Sequence, residues 1–247
     1  MSTKPRVMIF VQARMGSTRL PGKVLKKINQ RALLSYEIER LKHVHQAEGL
    51  VVLTTLNEGD DEIERFCQKE RVAVFRGSEW DVLERFHQAA HVFKAQIVVR
   101  ICGDCPLIDP GVIDQSIERF LCDEAPYDYL SNTSIRTFPR GLDVEVFSVS
   151  SLDRVVREAL LPEEREHVTP YYYRHPELFS LGSLTYPKDY SLHRWTVDTS
   201  EDFELSSKIL KELYSQDPLF TWHDVLHLLE EHPEWKQINA HVAQKKV

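Results

Sequence analysis

The chain has 247 residues, of which 42% are hydrophobic and 28% charged, and these values suit one globular α/β domain with ample material for a core. Its net charge of −7 argues against a general nucleic-acid binder, which would carry a broad basic face, and no apolar run approaches the roughly 18 residues of a membrane span. Four cysteines in a chain of this length do not form a disulfide framework, so a cytoplasmic, reducing setting is expected.

The first half of the chain alternates short apolar, β-branched runs with longer stretches of helical period. Strands are predicted at residues 7–11, 50–54, 72–75 and 97–101. Helices are predicted at 33–42, 61–70, 81–93 and 112–122, with Asp109 and Pro110 favouring the start of the fourth. The first run leads into Arg14 without a small-residue cleavage site, which indicates a strand rather than a signal peptide. This alternation predicts a Rossmann-like, mostly parallel sheet flanked by helices.

After residue 125 the pattern changes to shorter elements. Strands are predicted at 127–131, 143–147 and 193–197, and an extended segment at 178–186. Helices are predicted at 151–160, at 163–174 with an interruption at Pro170, from a cap at Thr199 or Ser200 to 214, and at 222–231 after Thr221. With no repeat or linker in the sequence, we expect one domain over residues 1–247, in which about residues 126–192 form an inserted antiparallel excursion.

The loop after the first strand, QARMGSTRLPGK at residues 12–23, combines cations with small residues. It contains Arg14, Arg19 and Lys23, together with Gly16, Ser17 and Gly22. Ligands of open α/β sheets bind beyond the carboxyl ends of the strands, so this position favours a phosphate site over a solvated basic turn. The loop is not a P-loop, because five residues separate the two glycines and Val24 follows the lysine.

The segment VVRICGDCPLIDP places Asp104 just after the fourth buried strand. A carboxylate at this edge suits Mg²⁺, which prefers oxygen ligands, although turns also select Asp and Gly. Cys102 and Cys105 form a C-x-x-C, but no second pair follows, so structural cysteines are favoured over a four-ligand zinc site.

The segment RWTVDTSEDF places a second carboxylate, Asp198, at a predicted strand end. Thr199, Ser200 and Asp202 are explained by helix capping, whereas Asp198 precedes the cap. Two carboxylates from separate strands suit nucleotidyl transfer, in which metal ions stabilise the attacking and leaving oxygens.

Two further segments are candidates for an acceptor pocket. In FPRGLDVEVFS, Arg140, Asp143 and Glu145 alternate along a predicted strand, and the two acids would share a face; an exposed strand face stays the alternative. The run EEREHVTPYYY contains Glu166, His167 and tyrosines 171–173, and fits a pocket wall or a dimer contact equally well.

His87 and His91 stand four residues apart on the predicted third helix, a spacing that can bind a metal ion. With no third ligand visible in the sequence, a surface pair is favoured.

Three of these motifs together resemble the sugar cytidylyltransferases, which make CMP-activated acylneuraminate and 3-deoxy-manno-octulosonate. The string A-R-x-x-S-T-R-L-P-G-K at residues 13–23 resembles the family signature, Gly-Asp-x-Pro at 103–106 its metal-binding segment, and Val-Asp-Thr-x-Glu-Asp at 197–202 the segment of its second metal ligand. The stretches PRGLDVEVF, EREHVTP and INAHVAQKK resemble the branch that contains spore coat polysaccharide biosynthesis protein F. The resemblance covers about residues 5–246, with one departure: Cys102 replaces the threonine expected before Gly103.

The resemblance implies roles for individual residues. Arg14 and Lys23 would clasp the CTP phosphates with Arg19 nearby, and Asp104 and Asp198 would hold Mg²⁺. The other implied nucleotide contacts are Ala13, Gly16 and Ser17 in the loop, Thr54 and Arg76 after the second and third strands, and Arg100. The acceptor would lie near Arg140, Asp143, Glu145, Glu166 and His167.

The predicted function is therefore transfer of CMP from CTP to a sugar-like or phosph(on)ate acceptor in cell-surface polysaccharide biosynthesis, by a homodimer. One alternative is a glycosyltransferase with a nucleotide-sugar donor. Such enzymes typically carry D-x-D, whereas residues 102–106 read CGDCP, and the arginine-rich loop suits a triphosphate better. A second alternative is a non-catalytic polysaccharide-assembly factor, which the three intact motifs disfavour.

Overall fold

The centre of the fold is a seven-stranded sheet, seen in a computed structural model that describes residues 4–121 and 126–244. In chain order the strands are β1 (Val7–Gln12), β2 (Lys27–Ile28), β3 (Arg31–Ala32), β4 (Gly49–Thr55), β5 (Ala73–Gly77), β6 (Ile97–Cys102), β7 (Tyr129–Ser131), β8 (Glu145–Ser148) and β9 (Leu181–Ser183). The main sheet has the order β5-β4-β1-β6-β8-β7-β9, and β2 pairs with β3 in a separate antiparallel ribbon.

Helices connect and cover these strands. They are α1 (Leu33–Leu41), α2 (Asp61–Glu70), α3 (Val82–Val92), α4 (Pro110–Phe120), α5 (Val149–Glu158), α6 (Pro162–His167), α7 (Pro170–Arg174), α8 (Ser200–Leu213) and α9 (Trp222–Glu231). Among the residues described, no helix combines the length and the apolar character that a membrane crossing requires.

The first half of the sheet confirms the predicted Rossmann-like fold. β5, β4, β1 and β6 are parallel neighbours, and their bounds lie within one or two residues of the predicted strands. The strands alternate their side chains between two cores: Val7, Ile9 and Val11 of β1 face one, and Met8 and Phe10 face the other. The carboxylate of Asp109 caps α4 as predicted. The last residue of this predicted helix, Cys122, lies outside the described residues.

The order of the parallel strands creates a switch point between β1 and β6. From β1 the chain adds β4 and then β5 on one side, and it returns to place β6 on the other side of β1. The loops that leave β1 and β6 therefore diverge and open a crevice at the carboxyl ends of these two strands. This crevice contains the first two sequence motifs.

In the second half, β8 and β7 extend the same sheet antiparallel to β6, and β9 then pairs parallel to β7. The caps at Thr199 and Thr221 form as predicted, each with a capping box. Two strand predictions need correction. β8 begins at Glu145, so Asp143 precedes it and does not alternate with Glu145 along a strand. Residues 193–197 form no strand, because their one backbone β-bridge is the isolated one between Arg194 and Arg140.

Gly141 lets these two segments approach each other. Trp195 N–H donates to the Arg140 carbonyl over 2.7 Å, and Arg140 N–H donates to the His193 carbonyl over 3.0 Å. Gly141 has φ +98°, and a Cβ at this position would lie 2.6 Å from Thr196 N and 2.7 Å from Trp195 C. Both the backbone conformation and the close contact therefore require glycine.

We predict that Gly141→Ala lowers the free energy of unfolding by about 2–4 kcal/mol, because it adds left-handed strain to a backbone clash. The matched control is Gly59→Ala, since a Cβ there meets nothing within 4 Å in the described part of the chain. Urea unfolding of the two variants checks this. Equal stability of both would contradict the requirement for glycine at residue 141.

Candidate active site

Three chain segments converge at the crevice: the loop after β1, the turn after β6 and the segment before α8. Gly103 N–H donates to the Gln12 carbonyl over 2.9 Å, and Val197 N–H donates to the Asp104 carbonyl over 2.8 Å. A Cβ on Gly103 would lie 3.0 Å from both Ala13 Cβ and Gln12 O, so the turn approaches β1 more closely than most side chains permit.

Lys23 bridges the two carboxylates at the centre of the crevice. Its Nζ is 2.5 Å from Asp104 Oδ2 and 2.7 Å from Asp198 Oδ1. Lys23 is buried, and burial acts to lower the pKa of its ammonium, but the two carboxylates outweigh burial and raise that pKa. The structure thus brings together, in one ion cluster, residues that are 81 and 175 positions apart in the chain.

Asp198 binds two further cations. Its Oδ2 accepts from Arg194 over 2.8 Å and lies 2.9 Å from Arg19 Nη2. Burial acts to raise the pKa of Asp198, whereas Lys23, Arg19 and Arg194 lower it below its ordinary value, so this carboxylate is ionised at neutral pH.

The loop after β1 is held by its own backbone and by Asp60. Gly22 has φ +65° and donates its N–H to the Met15 carbonyl over 3.0 Å, which closes the loop and turns Lys23 inward. Asp60 is buried beneath the loop; its Oδ1 accepts from Met15 N–H over 2.7 Å, and its other oxygen accepts from the Thr55 hydroxyl. The loop is therefore preorganised.

A cleft of about 270 Å³ lies above this cluster. The predicted residues that line it are Ala13, Arg14, Ser17, Arg19, Lys23, Asp104, Glu166, His167 and Asp198. Arg14 is 42% exposed and 3.9 Å from Glu79, so its guanidinium is held only loosely. Gly16 is exposed on the same loop but does not line the cleft.

Three predicted nucleotide contacts lie elsewhere. Thr54 is fully buried in β4, with no hydrogen-bond partner for its hydroxyl among the described residues. Arg76 turns toward α2, where it pairs with Asp61 at 2.7 Å and Glu64 at 2.8 Å. Arg100 pairs with Glu145 and faces a neighbouring pocket. The structure therefore places none of these side chains in the cleft.

The neighbouring pocket, of about 720 Å³, contains the other predicted acceptor residues. Asp143 makes a bidentate pair with Arg136, at 2.6 and 3.0 Å. Glu145 lies deeper, where it binds Arg100 and accepts from the hydroxyls of Tyr129 and Thr169. Arg140 also lines this pocket. Of the tyrosine run, Tyr171 and Tyr172 pack in the core, and Tyr173 lines the pocket.

His167 stands where the two cavities meet. It lines the cleft above Lys23, the 720 Å³ pocket, and a third cavity of about 200 Å³ beside Arg14 and Arg85. Burial lowers the pKa of His167; Glu166 opposes this effect and Arg100 adds to it, and because the net shift is downward from 6.5 the neutral imidazole predominates at pH 7.

The chain matches a known protein family over nearly its whole length. The family described as Cytidylyltransferase has a sequence model that matches residues 8–247. The chain belongs to the cytidylyltransferase family.

Other proteins are similar to this cytidylyltransferase over nearly their whole length. The spore coat polysaccharide biosynthesis protein SpsF of Bacillus subtilis (strain 168) is 34% identical over 235 residues, which are 92% of this chain and 95% of that protein. The structure of a cytidylyltransferase from Leptospira borgpetersenii serovar Hardjo-bovis (strain JB197) is 37% identical with a TM-score of 0.90, and the match covers 98% of this chain and 99% of that one.

A more distant solved structure supports the fold. It is a CMP:2-keto-3-deoxy-manno-octonic acid synthetase complexed with CTP, 17% identical, with a TM-score of 0.64 over 84% of this chain and 99% of that one. The predicted family, fold and enzyme class, a CTP-dependent nucleotidyltransferase, are confirmed.

Four residues of the cytidylyltransferase site carried no assignment from sequence. Glu37 of α1 is fully buried and accepts from Cys105 N–H over 3.1 Å; burial, and then the nearby Asp104, raise its pKa well above the ordinary value. Asp60 anchors the loop, and Arg194 joins Asp198 to Asp202. Burial lowers the pKa of Arg85 to about 10, and Arg14 contributes. Of these four residues, only Glu37 has a signal in the sequence: it is a charged residue within the apolar stripe of a predicted helix.

We predict that Asp60→Ala weakens CTP binding about tenfold and leaves the fold intact, because hydrogen bonds worth about 1–2 kcal/mol hold the loop in place. The matched control is Asp61→Ala, since Asp61 is the adjacent aspartate and pairs with Arg76 instead. Calorimetric titration with CTP checks this. The same dissociation constant in wild type and Asp60→Ala would show that the loop is held by its own backbone.

Proposed function

We propose that this cytidylyltransferase transfers CMP from CTP to a hydroxyl of a small anionic acceptor, with release of pyrophosphate, in the synthesis of a cell-surface polysaccharide precursor. One observation carries the proposal: the Lys23–Asp104–Asp198 cluster lies in a cleft that meets an arginine-lined pocket at His167. The names of the SpsF protein and of the synthetase complexed with CTP support the pathway and the nucleotide.

The two carboxylates fit a magnesium ion. Asp104 and Asp198 already flank one cation, the Lys23 ammonium, and both are partly accessible from the cleft. Carboxylate oxygens are the ligands that Mg²⁺ prefers in nucleotide sites. Bound between them, Mg²⁺ would neutralise charge on the phosphate oxygens during transfer.

The loop cations would hold the triphosphate. Lys23, Arg19 and Arg14 line one cleft; Lys23 pairs with Asp104 and Asp198, and Arg19 pairs with Asp198. Each can exchange a carboxylate partner for a phosphate oxygen without leaving the cleft. This positions the α-phosphorus for in-line attack, so orientation and charge neutralisation supply most of the rate.

Arg140 supports an anionic acceptor. The other two arginines of the pocket are neutralised, Arg136 by Asp143 and Arg100 by Glu145. Arg140 makes no ion pair with a carboxylate among residues 4–121 and 126–244. Burial and repulsion from Arg136 lower its pKa, and the nearby Asp143 offsets this only in part. A carboxylate, phosphate or phosphonate of the acceptor would supply the missing charge and form a charge-assisted pair.

His167 is placed to take the proton of the attacking hydroxyl. It borders both cavities, so an acceptor held by Arg140 and a triphosphate held by Lys23 would meet beside its ring. Its lowered pKa keeps the imidazole unprotonated at neutral pH, as a general base requires.

The test of the function is pyrophosphate release from CTP, ATP, GTP and UTP with Mg²⁺ and an acceptor panel. The panel contains 2-keto-3-deoxy acids, sugar phosphates and phosphonates, each beside an uncharged analogue. We expect release from CTP with an anionic acceptor only. Asp104→Asn should lower turnover by at least about 100-fold, because a charged ligand to the metal becomes neutral.

The control is Gln68→Glu, which changes one charge on the exposed face of α2, outside the site. This variant should retain activity. Release with a neutral analogue at the same rate would overturn the anionic acceptor. Full activity in a folded Asp104→Asn would overturn the role of the carboxylate pair.

The rate should depend on the protonation state of His167. The base form of His167 is the neutral one, so kcat/KM should fall as pH decreases through the pKa of His167, below its ordinary value of 6.5. His167→Gln should lower kcat about 100-fold or more and remove this acidic limb. The exposed His227→Gln serves as control. An unchanged pH profile in His167→Gln would contradict its role as base.

A further inference from the structure

We propose that His87, His91 and Asp153 form a second metal site, for a divalent transition metal such as Zn²⁺, that clamps α3 to α5. The two histidines stand four apart on α3, and Asp153 of α5 supplies the third ligand that the sequence does not reveal. The site is separate from the carboxylate pair of the cleft, and it stands independently of the proposed function.

The three potential ligand atoms form a tight triangle. Asp153 Oδ1 is 2.9 Å from Nε2 of His87 and 2.9 Å from Nε2 of His91, and the two Nε2 atoms are 3.1 Å apart. The three atoms lie on a circle of about 1.7 Å radius, so a cation about 2.0–2.1 Å from each would sit about 1.1 Å above their plane. Tetrahedral edges are about 3.3 Å at such bond lengths, which small side-chain rotations provide.

Hydrogen bonding alone serves this triangle poorly. A neutral imidazole carries at most one proton on Nε2, so when both rings donate to Asp153, two N–H groups face each other at 3.1 Å. A cation would instead accept a lone pair from each of the three atoms. The protons would then lie on Nδ1. In His87 this atom is buried and has no hydrogen-bond partner among the described residues, and Glu84 Oε1, at 3.8 Å, would have to move closer to accept its proton and orient the ring.

The site lies near the amino-terminal end of β6, whereas the nucleotide cleft lies at its carboxyl end. His91 is the penultimate residue of α3, which leads into the start of β6, whereas Asp104 follows the end of β6. Val149, the first residue of α5, donates its N–H to the carbonyl of Gln96, just before β6, over 2.9 Å, so α5 also begins at this end of β6. The ion would therefore brace two helices of one face without contact with the reacting groups.

The ligand set selects the metal class. Two imidazole nitrogens and one carboxylate oxygen suit Zn²⁺ and similar borderline ions, whereas Mg²⁺ prefers an all-oxygen set. The side chain of His91 is 55% exposed and that of Asp153 is 35% exposed, so an ion can enter and water can complete the coordination.

The experiment titrates the 247-residue chain with Zn²⁺ in excess Mg²⁺, which competes with Zn²⁺ for the carboxylates of the cleft, and follows Co²⁺ absorption in parallel. We expect about one Zn²⁺ per chain, a visible band of four-coordinate Co²⁺, and a rise in melting temperature. His91→Gln should lower the Zn²⁺ affinity at least about tenfold and abolish both the band and the melting shift.

His227→Gln is the matched control, because His227 also has a carboxylate four residues away, at Glu231, but belongs to no three-ligand cluster in the described part of the chain. It should bind Zn²⁺ like wild type, and Asp153→Asn should behave like His91→Gln. Equal Zn²⁺ affinity in wild type and His91→Gln, or equal loss in His227→Gln, would overturn the proposal.

Discussion

The ion cluster of Lys23, Asp104 and Asp198 is the interaction on which the site depends. It joins the loop after β1, the turn after β6 and the segment before α8, which share no continuous secondary structure. Removing one member of a buried ion pair leaves an uncompensated charge at a cost of about 3–5 kcal/mol. The cluster therefore helps to fix the relative positions of the three motifs.

The same cluster explains how the site could exchange partners under the proposed function. Lys23 neutralises two carboxylates, and Arg19 and Arg194 share Asp198 with it. A metal ion that replaced the ammonium would free Lys23 for the triphosphate, so the charges of the cleft would balance with and without substrate. The third charge on Asp198, from Arg194, is shared with Asp202 and would hold that carboxylate in place throughout.

Local patterns in the sequence predict the fold, whereas the pairing of Asp104 with Asp198 rests on the resemblance to the family, because the strand predicted before Asp198 does not form. Apolar runs and helical periods predict β1, β4, β5 and β6, and strand ends predict Asp104 at the crevice. Arg76 and Thr54 show the limit of this reasoning: both lie near strand ends, yet one pairs with α2 and the other faces the core. Asp60 and Asp153 contact residues at least 45 positions away in the chain, which no local pattern encodes. The partners of Arg194 are four and eight residues away, but residues 194–198 are not helical, so helical spacing does not predict these pairs.

Under the proposed function, Lys23 holds the place of a metal ion and moves to the triphosphate when CTP binds. Anomalous diffraction from crystals grown with CTP and Mn²⁺, as a stand-in for Mg²⁺, tests this most directly. We predict a manganese peak within coordinating distance of both Asp104 and Asp198, with Lys23 Nζ hydrogen-bonded to a phosphate oxygen. A nucleotide complex in which Lys23 still bridges the two carboxylates, and manganese binds elsewhere, would rule out this exchange of partners.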